Sequence, residues 1–413
     1  MGEAKTESIK LFPSEKLFII AVIFASGTPF AADFSIASIV MLLSFADMLR
    51  TRLVAFNNKV TPILAFVILA TLFWVLQYLY YPSSGQQLLV IVKYSVQISV
   101  CFAFAVCRPE RNYSRFDYLI RCLVILMVLS CVLFSLSLLG INLPTIITKE
   151  HKLESFFYLQ HYGEDSVFGF MGFRNSGIYW EPGMYQIFLN LILLYYLYNT
   201  TSLSKNKRLI VLALTTFSII TTGSVTGYLL ASIIFGVYAF FNKLSFIYKL
   251  LLVLSLGAIL VYIWPHMYEL YEIKMETNSY DVRSNDVEMG WKVFKTNPIF
   301  GYGIVNDMYT HYVGSDRTGN TNGLMNLLIN TGIIGFLFYS YGITKFAIFL
   351  SRIFSNKSLF VLIIIWFFMS LMNEPISLLP FVFLIIGYGL SVPRTNSLGK
   401  RRKSTSVVEI INP

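Results

Sequence analysis

The chain has 413 residues, of which 56% are hydrophobic and only 13% are charged, whereas soluble domains carry about a quarter charged residues. This composition excludes a water-soluble protein and predicts an all-α integral membrane protein. The formal net charge of +10 would also fit a nucleic-acid binder, but Lys and Arg collect in the cytoplasmic loops of membrane proteins. Sorting the charge by side of the membrane therefore predicts no nucleic-acid partner.

Apolar stretches long enough to cross a bilayer recur along the chain. A transmembrane helix needs about 20 apolar residues, and fewer when aromatics or charges anchor its ends. About twelve such stretches are present, so we expect residues 1–413 to form a single polytopic membrane domain. They fall near residues 17–31, 33–48, 61–81, 87–107, 118–140, 183–200, 209–223, 225–241, 248–265, 322–343, 358–373 and 376–391.

The first apolar stretch is expected to remain as an anchor. The segment before it, MGEAKTESIK, lacks a short apolar run that ends in a cleavage site of small residues. The chain has four cysteines, and their spacing indicates neither a disulfide framework nor a metal site. They are Cys101, Cys107, Cys122 and Cys131.

The distribution of charge predicts the orientation. With the amino terminus in the cytoplasm, 23 Lys and Arg residues lie inside and 8 outside, whereas 7 acidic residues lie inside and 15 outside. Cytoplasmic loops are the basic ones, so both termini are predicted to be cytoplasmic. The basic tail, residues 392–413, is then a stop-transfer flank, or alternatively a contact for a partner or anionic lipid.

Two outer loops are long, 141–182 and 266–321, and long loops in a compact chain are usually functional or disordered. Their aromatics, turns and amphipathic runs indicate order, so the chemistry is expected on the outer face.

In the second loop, Asn285 and Glu288 have the spacing of a capping box. They predict a short amphipathic surface helix that ends before Asn297-Pro298, with Arg283 just before its amino terminus, where backbone N–H groups favour an anion.

The first long loop ends in GFRNSGIYWEPG, residues 172–183, which concentrates polar and aromatic side chains beside the next span. Arg174 and Glu181 lie where lipid head groups would be, and Tyr179 and Trp180 accompany them. The structural alternative is that the aromatics anchor the membrane interface while Arg174 and Glu181 only pair with each other.

Three further regions contain candidate residues. The second loop carries His311 and Arg317, and the hairpin TTGSVTGYL, residues 221–229, carries Ser224 and Thr226, which could donate to a phosphate. Gly223 and Gly227 in that hairpin have the spacing that lets helices approach closely, so packing is the alternative. Lys93 lies within the fourth span, where an ionisable residue is either functional or snorkels to the interface.

The order of four motifs resembles a known family. RNSGIYWEPG, GSVTGYL, NPIFGYG (residues 297–303) and TNGLMNLLINTGIIG (residues 321–335) are similar to those of Wzy-type O-antigen and capsular polysaccharide polymerases, whose superfamily also holds the O-antigen ligases. The resemblance covers about Gly172 to Gly335. Ligases tend to carry His immediately before the Asn of the last motif, and this chain has Thr321 before Asn322, which favours polymerase.

The resemblance implies a GT-C-like inverting glycosyltransferase that uses undecaprenyl diphosphate-linked sugars at the bacterial inner membrane, in lipopolysaccharide or capsule synthesis. It implies no metal, cofactor or nucleotide sugar, and a chain-length regulator and a flippase are implied partners. The sequence agrees, because it contains no Asp-x-Asp motif in an outer loop, no phosphate-binding Gly-rich loop after a strand and no Cys/His cluster.

The same resemblance suggests roles for the candidate residues. Arg174 and Arg283 would neutralise the diphosphate, and Glu181 would accept the proton of the attacking hydroxyl, with His311 as runner-up. The remaining candidates are assigned to substrate binding: Lys93, Tyr179, Trp180, Ser224, Thr226, Arg317 and Asn322.

Two other functions remain open. A ligase would transfer the glycan to a lipid acceptor, and a flippase or other secondary transporter could move the same lipid-linked sugars. Transporters tend to have two related halves and polar sites at the midplane. The dissimilar halves and long outer loops of this chain favour an enzyme.

Overall fold

Helices make up most of the protein. The structure, a computed structural model, describes residues 9–51, 60–80, 87–141, 143–148, 154–163, 174–200, 203–241, 278–304, 306–313 and 320–391. The α-helices of these ranges are α1 (Pro13–Phe24), α2 (Pro29–Asp33), α3 (Ile36–Arg50), α4 (Val60–Tyr80), α5 (Gln87–Val106), α6 (Asn112–Leu138), α7 (Pro182–Tyr198), α8 (Lys205–Thr221), α9 (Val225–Phe241), α10 (Asn278–Thr296), α11 (Met308–Val313), α12 (Gly323–Ile353), α13 (Lys357–Asn373) and α14 (Pro380–Leu390). Short 3-10 turns span Pro109–Arg111 and Ile376–Leu378.

The helices follow the predicted apolar stretches. Every predicted stretch except 248–265, which lies outside the described residues, overlaps a helix. Three described segments are long and apolar enough to cross a membrane by themselves: Leu88–Val106, Pro109–Leu138 and Gly323–Ile353. Shorter apolar helices accompany them at Val67–Tyr80, Val225–Phe241, Lys357–Asn373 and Pro380–Leu390. These features fit an all-α membrane protein, while the count of twelve spans stays a prediction.

Helix α7 lies at the centre of the bundle, because each of its residues from Pro182 to Tyr198 is buried. A helix that is apolar on all sides is one that other helices surround. It contacts α6, α8, α9 and α13, and the indole of Trp366 in α13 donates to the carbonyl oxygen of Ile187 at 3.0 Å. The start of α7 is therefore held firmly, and the GFRNSGIYWEPG segment leads directly into it.

The first long loop contains a small antiparallel sheet that the sequence did not predict. Its strands are β1 (Ile146–Ile147), β2 (Glu154–Phe156), β3 (Gln160–Gly163) and β4 (Arg174–Gly177), paired in chain order. Strands of two to four residues are too short for an alternating pattern to stand out. We call the end of the bundle that carries this sheet the sheet end.

The sheet packs on α2 through Tyr158, whose hydroxyl donates to Asp33 Oδ2 at 2.7 Å. Burial, together with the hydrogen bond to Asp33 and its negative charge, raises the pKa of Tyr158 to about 12. The order expected for this loop is therefore present in its described part.

The predicted amino terminus of the amphipathic helix in the second long loop was wrong. Helix α10 begins at Asn278, so Asn285 and Arg283 lie inside it rather than at or before its first residue. No Pro or Gly lies between Asn278 and Glu288, so the helix continues upstream and the local capping pattern is overridden. Its end at Thr296, directly before Asn297, was predicted correctly.

Helix α12 is broken at Gly332, and the NPIFGYG segment fills the break. Gly332 has φ 62° and ψ −165°. The N–H groups of Tyr302 and Gly303 donate to the carbonyls of Ile329 and Asn330 at 2.8 and 2.9 Å. On the other side of the break, the N–H of Ile333 donates to the Pro298 carbonyl at 2.9 Å.

Helix α4 closes the same junction. Gln77 Nε2 donates to the carbonyls of Phe300 and Gly301 at 3.1 and 2.8 Å. The backbone also approaches closely, because a Cβ atom on Gly332 would lie 2.3 Å from the Ile299 carbonyl oxygen. The two glycine-containing motifs, NPIFGYG and INTGIIG, are therefore halves of one junction.

We expect Gly332→Ala to destabilise the protein strongly. The residue occupies a conformation that is essentially restricted to glycine and that costs about 1–3 kcal/mol for other residues, and its Cβ would also collide with the 298–303 backbone. The matched control is Gly236→Ala in α9, where an added Cβ meets nothing within 4 Å and helix propensity gains up to about 1 kcal/mol. Melting temperatures of the two variants in detergent test this, and equal values would contradict it.

The opposite end of the bundle is held by a buried ion cluster. Glu15 at the start of α1 is 0% exposed and pairs with Arg111 at 2.6 Å and with Arg115 at 2.8 Å. Arg115 is also 0% exposed, donates to the carbonyls of Phe104 and Cys107 at 2.6 and 2.9 Å, and lies 4.1 Å from the Phe104 ring centroid. This cluster joins the first helix to α6.

Glu15→Gln should lower stability by about 3–5 kcal/mol, because removing one partner leaves a buried charge without compensation. The comparison is Asp47→Asn, which breaks the exposed pair with Arg50, whose side chain is 81% exposed. Such surface pairs contribute about 0–1 kcal/mol. Thermal unfolding of both variants in the same detergent is the measurement, and a similar loss in both would refute the structural role of the cluster.

Candidate functional site

A buried amide holds β4 against the helix ends. Asn175 Oδ1 accepts from Ser130 Oγ and Gln160 Nε2, each at 2.9 Å, and Asn175 Nδ2 donates to Thr221 Oγ1 at 3.1 Å. Ser130 belongs to α6 and Thr221 to α8. Hydrogen bonds within a buried network fix side chains in one arrangement, so the RNSG motif has a fixed position at the sheet end.

Arg174, the neighbour of this amide, lies at the turn between α8 and α9. Its side chain is partly buried, and Nε donates to the carbonyl of Thr222 at 2.9 Å. The turn continues into Ser224 and Thr226 at the start of α9. The structure thus brings Arg174 and the TTGSVTGYL hairpin together. Their order in the sequence does not reveal this contact.

Tyr179 does not have the role predicted for it. The side chain is 2% exposed, and its ring stacks on Phe188 with centroids 4.4 Å apart and an interplanar angle of 9°. Burial, and to a smaller extent the neighbouring Tyr185, raises the pKa of the Tyr179 phenol well above its ordinary value. A ring inside the core cannot also stack on a sugar, so Tyr179 is a packing residue.

Glu181 and Trp180 lie at the boundary of the core. Glu181 is the N-cap residue of α7, with φ −152° and ψ 157°, and its Oε1 accepts from the Trp180 indole N–H at 3.0 Å. Both side chains are half-buried. Trp180 therefore orients Glu181. The predicted alternative was a pair between Arg174 and Glu181, but the Arg174 Nε donates to the Thr222 carbonyl instead.

A second carboxylate, which sequence analysis missed, lies over the first turn of α7. Glu374 is 3% exposed, and a Cβ atom added to Gly183 would be 2.0 Å from its Oε1. The same oxygen accepts from Asn373 Nδ2 at 2.7 Å. Helix amino termini favour negative charge. The only indication in the sequence is an acidic residue between the last two apolar stretches.

A cleft of about 350 Å³ opens beside Asn373 at the sheet end. Its walls come from the starts of α9 and α12, from the end of α13 and from α10. The described residues that line it are Thr226, Leu229, Val287, Thr321, Asn322, Met369, Met372 and Asn373. Two of the predicted substrate-binding residues, Thr226 and Asn322, therefore share one cavity.

The polar side chains of the cleft are held from behind. Thr226 Oγ1 donates to Asn373 Oδ1 at 2.8 Å. Thr321 Oγ1 donates to Asp286 Oδ2 at 2.5 Å, and the Thr321 N–H donates to the same oxygen at 3.0 Å. Asn322 is the N-cap of α12, and its side-chain oxygen accepts from the backbone N–H at the third position of the helix at 3.0 Å.

Asp286 is the other functional candidate that sequence analysis missed. It is 0% exposed, accepts both hydrogen bonds from Thr321, and also accepts from the hydroxyl of Tyr309 in α11. Within the sequence it lies in a polar stretch that was interpreted as the first turn of a surface helix. Only the fold brings it against the start of α12.

Ser224 was predicted to donate to a phosphate, but its hydroxyl has a structural role. It is 5% exposed, and its hydroxyl oxygen accepts from the Gly227 N–H at 3.3 Å. Ser224 therefore caps α9, and it is not among the described residues that line the cleft. The packing alternative for this hairpin is supported at Gly227, where a Cβ would lie 2.9 Å from the Gln186 Cβ, and Gly223 forms the turn with φ 60°.

The remaining candidates lie apart from the cleft or cannot be placed. Lys93 is exposed on α5, and His311 is exposed on α11; neither is among the described lining residues. Arg283 lies in α10, four residues before Val287, and Arg317 lies outside the described residues. In the described part of the chain, no group of three or more His, Cys, Asp or Glu side chains could hold a metal ion.

The comparison with protein families adds an independent finding. Residues 210–340 match the family model described as O-antigen ligase, and no curated protein matches the chain. The matched region contributes Thr226, Leu229, Val287, Thr321 and Asn322 to the cleft. It overlaps the segment from Gly172 to Gly335 on which the predicted resemblance rests, so the match confirms the predicted resemblance to the O-antigen ligase/polymerase superfamily.

Proposed function

We propose that this protein is a glycosyltransferase that polymerises undecaprenyl diphosphate-linked repeat units into O-antigen or capsular polysaccharide. The observation that carries the proposal is that the region matching the O-antigen ligase model supplies most of the cleft. The remaining wall comes from the end of α13, next to the buried carboxylate of Glu374. A cavity with convergent polar groups is where substrate is expected to bind.

The reaction is placed on the outer face of the bacterial plasma membrane. The proposed topology has both termini in the cytoplasm, so the sheet end faces outward. Arg111 and Arg115 lie at the opposite end, and Lys and Arg collect in cytoplasmic segments. Lipid-linked sugars that have crossed the membrane would reach the cleft from its outer side.

The chemistry is an inverting displacement at the anomeric carbon of the donor. A hydroxyl oxygen of the acceptor sugar attacks that carbon, the bond from the carbon to the diphosphate oxygen breaks, and the lipid diphosphate departs. The hydroxyl proton passes to Glu181. The lipid diphosphate is already a good leaving group, so the enzyme needs mainly to align the substrates and to stabilise charge on the diphosphate.

Arg174 and Arg283 are the proposed diphosphate ligands. The hydrogen bond from Arg174 Nε to Thr222 fixes the guanidinium at the α8–α9 turn, and a donor that is already in place costs no reorganisation during reaction. Arg283 precedes Val287 by four residues in α10, a spacing that puts both residues on one face of the helix, and Val287 lines the cleft.

Glu181 remains the proposed base. It is half-buried at the start of α7, and the Trp180 indole holds one of its oxygens. Gly183, two residues later, packs against Asn373, which lines the cleft. Glu181 therefore begins the helix whose first turn lies beside a residue of the cleft.

The second candidate function is glycan ligation, which the description of the matching family favours. Against it, Thr321 occupies the position where ligases tend to carry His. The decisive experiment incubates the purified protein with lipid-linked repeat units alone. We expect a ladder of lengthening glycans; a ligase would form product only after a second lipid acceptor is added, and a flippase would form no new glycosidic bond.

Arg174→Lys and Arg283→Lys should each lower the rate of chain growth by about 10²- to 10³-fold, the usual loss when one preorganised donor is removed. Lysine keeps the charge but lacks the bidentate fork. Lys292→Ala is the control on α10, because Lys292 is 52% exposed and pairs only on the surface with Glu288. Gel-resolved chain growth is the assay, with melting temperatures measured for each variant.

Full activity in both Lys variants would exclude the proposed diphosphate clamp. Recovery of activity in the double variant Arg174→Glu with Glu181→Arg would instead indicate that these two residues act only as a pair.

A further inference from the structure

The hydroxyl groups of Thr226 and Thr321 in the cleft already donate their protons to other side chains of the protein. A carboxylate oxygen and an amide oxygen can only accept hydrogen bonds. Thr321 must therefore donate its hydroxyl proton to Asp286, and Thr226 must donate its own to Asn373 Oδ1. The assignment of Asn373 is fixed in turn, because its Nδ2 donates to Glu374. Both threonine oxygens are left with lone pairs as their remaining hydrogen-bonding capacity.

Asn322 complements them. Its side-chain oxygen accepts from the backbone of α12, so the group it can offer a ligand is the amide NH₂, a donor. The cleft therefore presents two hydroxyl acceptors and the amide donor of Asn322. Asn373, whose amide is engaged with Thr226 and Glu374, also lines it. The other described lining residues are apolar: Leu229, Val287, Met369 and Met372.

This pattern does not suit an anion. A phosphate oxygen needs donors, and the two threonines cannot supply them while they donate to Asp286 and Asn373. Behind the polar wall stand the carboxylates of Asp286 and Glu374, which are 0% and 3% exposed. Their negative charge disfavours an anion inside the cleft itself.

A sugar ring fits this arrangement of acceptors, a donor and apolar side chains. Sugar hydroxyls donate to fixed acceptors and accept from an amide N–H, while the C–H faces of the ring pack on apolar side chains. The volume, about 350 Å³, lies within the range of about 300–1,000 Å³ found for small-molecule sites.

We propose that the cleft binds the uncharged terminal sugar of the acceptor glycan, apart from the diphosphate of the donor. The inference rests on the proposed glycosyltransferase function and assigns the acceptor subsite within it. Thr226, Thr321 and Asn322 contact the sugar, and Asp286 and Asn373 are positioning residues that hold the two threonines as acceptors.

The experiment uses two probes on the purified full-length protein. One is the methyl glycoside of the repeat unit released from the host polysaccharide, which lacks lipid and diphosphate; the other is undecaprenyl diphosphate without sugar. Binding of each is measured by calorimetry. Thr321→Val and Thr226→Val remove an acceptor with little change of shape, and Thr321→Ser and Thr226→Ser keep the hydroxyl.

We expect each Val variant to weaken binding of the glycoside at least tenfold, while binding of undecaprenyl diphosphate is unchanged and the Ser variants recover affinity. Leu229→Trp provides a second approach, because Leu229 is 53% exposed at the edge of the cleft. The larger Trp side chain should block binding of the glycoside without breaking any buried hydrogen bond. The proposal can therefore still be tested if a Val variant fails to fold.

The outcomes separate this inference from the proposed function. Loss of undecaprenyl diphosphate binding in the Val variants would identify the cleft as the diphosphate site and overturn the inference. Unchanged glycoside binding in the Val and Trp variants, in a protein that still elongates lipid-linked repeats, would overturn the cleft assignment alone. Failure of the unmodified protein to elongate repeats would count against the polymerase proposal and leave the glycoside measurement as an independent test of the cleft.

Discussion

The break in α12 organises the sheet end of the molecule. Backbone groups freed by a helix break are tolerated at membrane depth only where other protein groups satisfy them, and residues 298–303 do so by hydrogen bonds on both sides of Gly332. This junction ties the segment after α10 to α12 and, through Gln77, to α4. The end of α10 and the first part of α12 are thereby held together, and these two helices form the cleft with α9 and α13.

Hydrogen-bonded polar anchors then hold the proposed substrate-binding side chains in place. Asn175 positions Arg174, Asp286 positions Thr321, and Asn373 positions Thr226. Asn175 and Asp286 are buried, and each is hydrogen-bonded, as burial of a polar group requires. The groups that we propose to contact substrate are oriented before substrate arrives, so little ordering remains for the binding step.

Helix positions were predictable because a long apolar run has few alternatives in a bilayer. The motif order also led correctly to the O-antigen ligase/polymerase superfamily. The failures arise where the fold sets the surroundings of a side chain. Tyr179 was expected to bind substrate, yet Phe188 and Tyr185 enclose it. Asp286 was missed because its partners Thr321 and Tyr309 come from other segments. Glu374 was missed because its place over the first turn of α7 is set by helix packing, which the local sequence does not reveal.

The ion cluster at the opposite end has a consequence for biosynthesis. Glu15 and its partner Arg115 are separated by 100 residues, and helices α3, α4 and α5 lie between them in the chain. While a ribosome is still making those helices, the Glu15 carboxylate has neither Arg111 nor Arg115 to pair with, and burying an unpaired charge is costly. The first helix can therefore bury Glu15 only after residues 111–115 have been made. The order in which the helices leave the ribosome thus sets when the amino-terminal segment locks into the bundle.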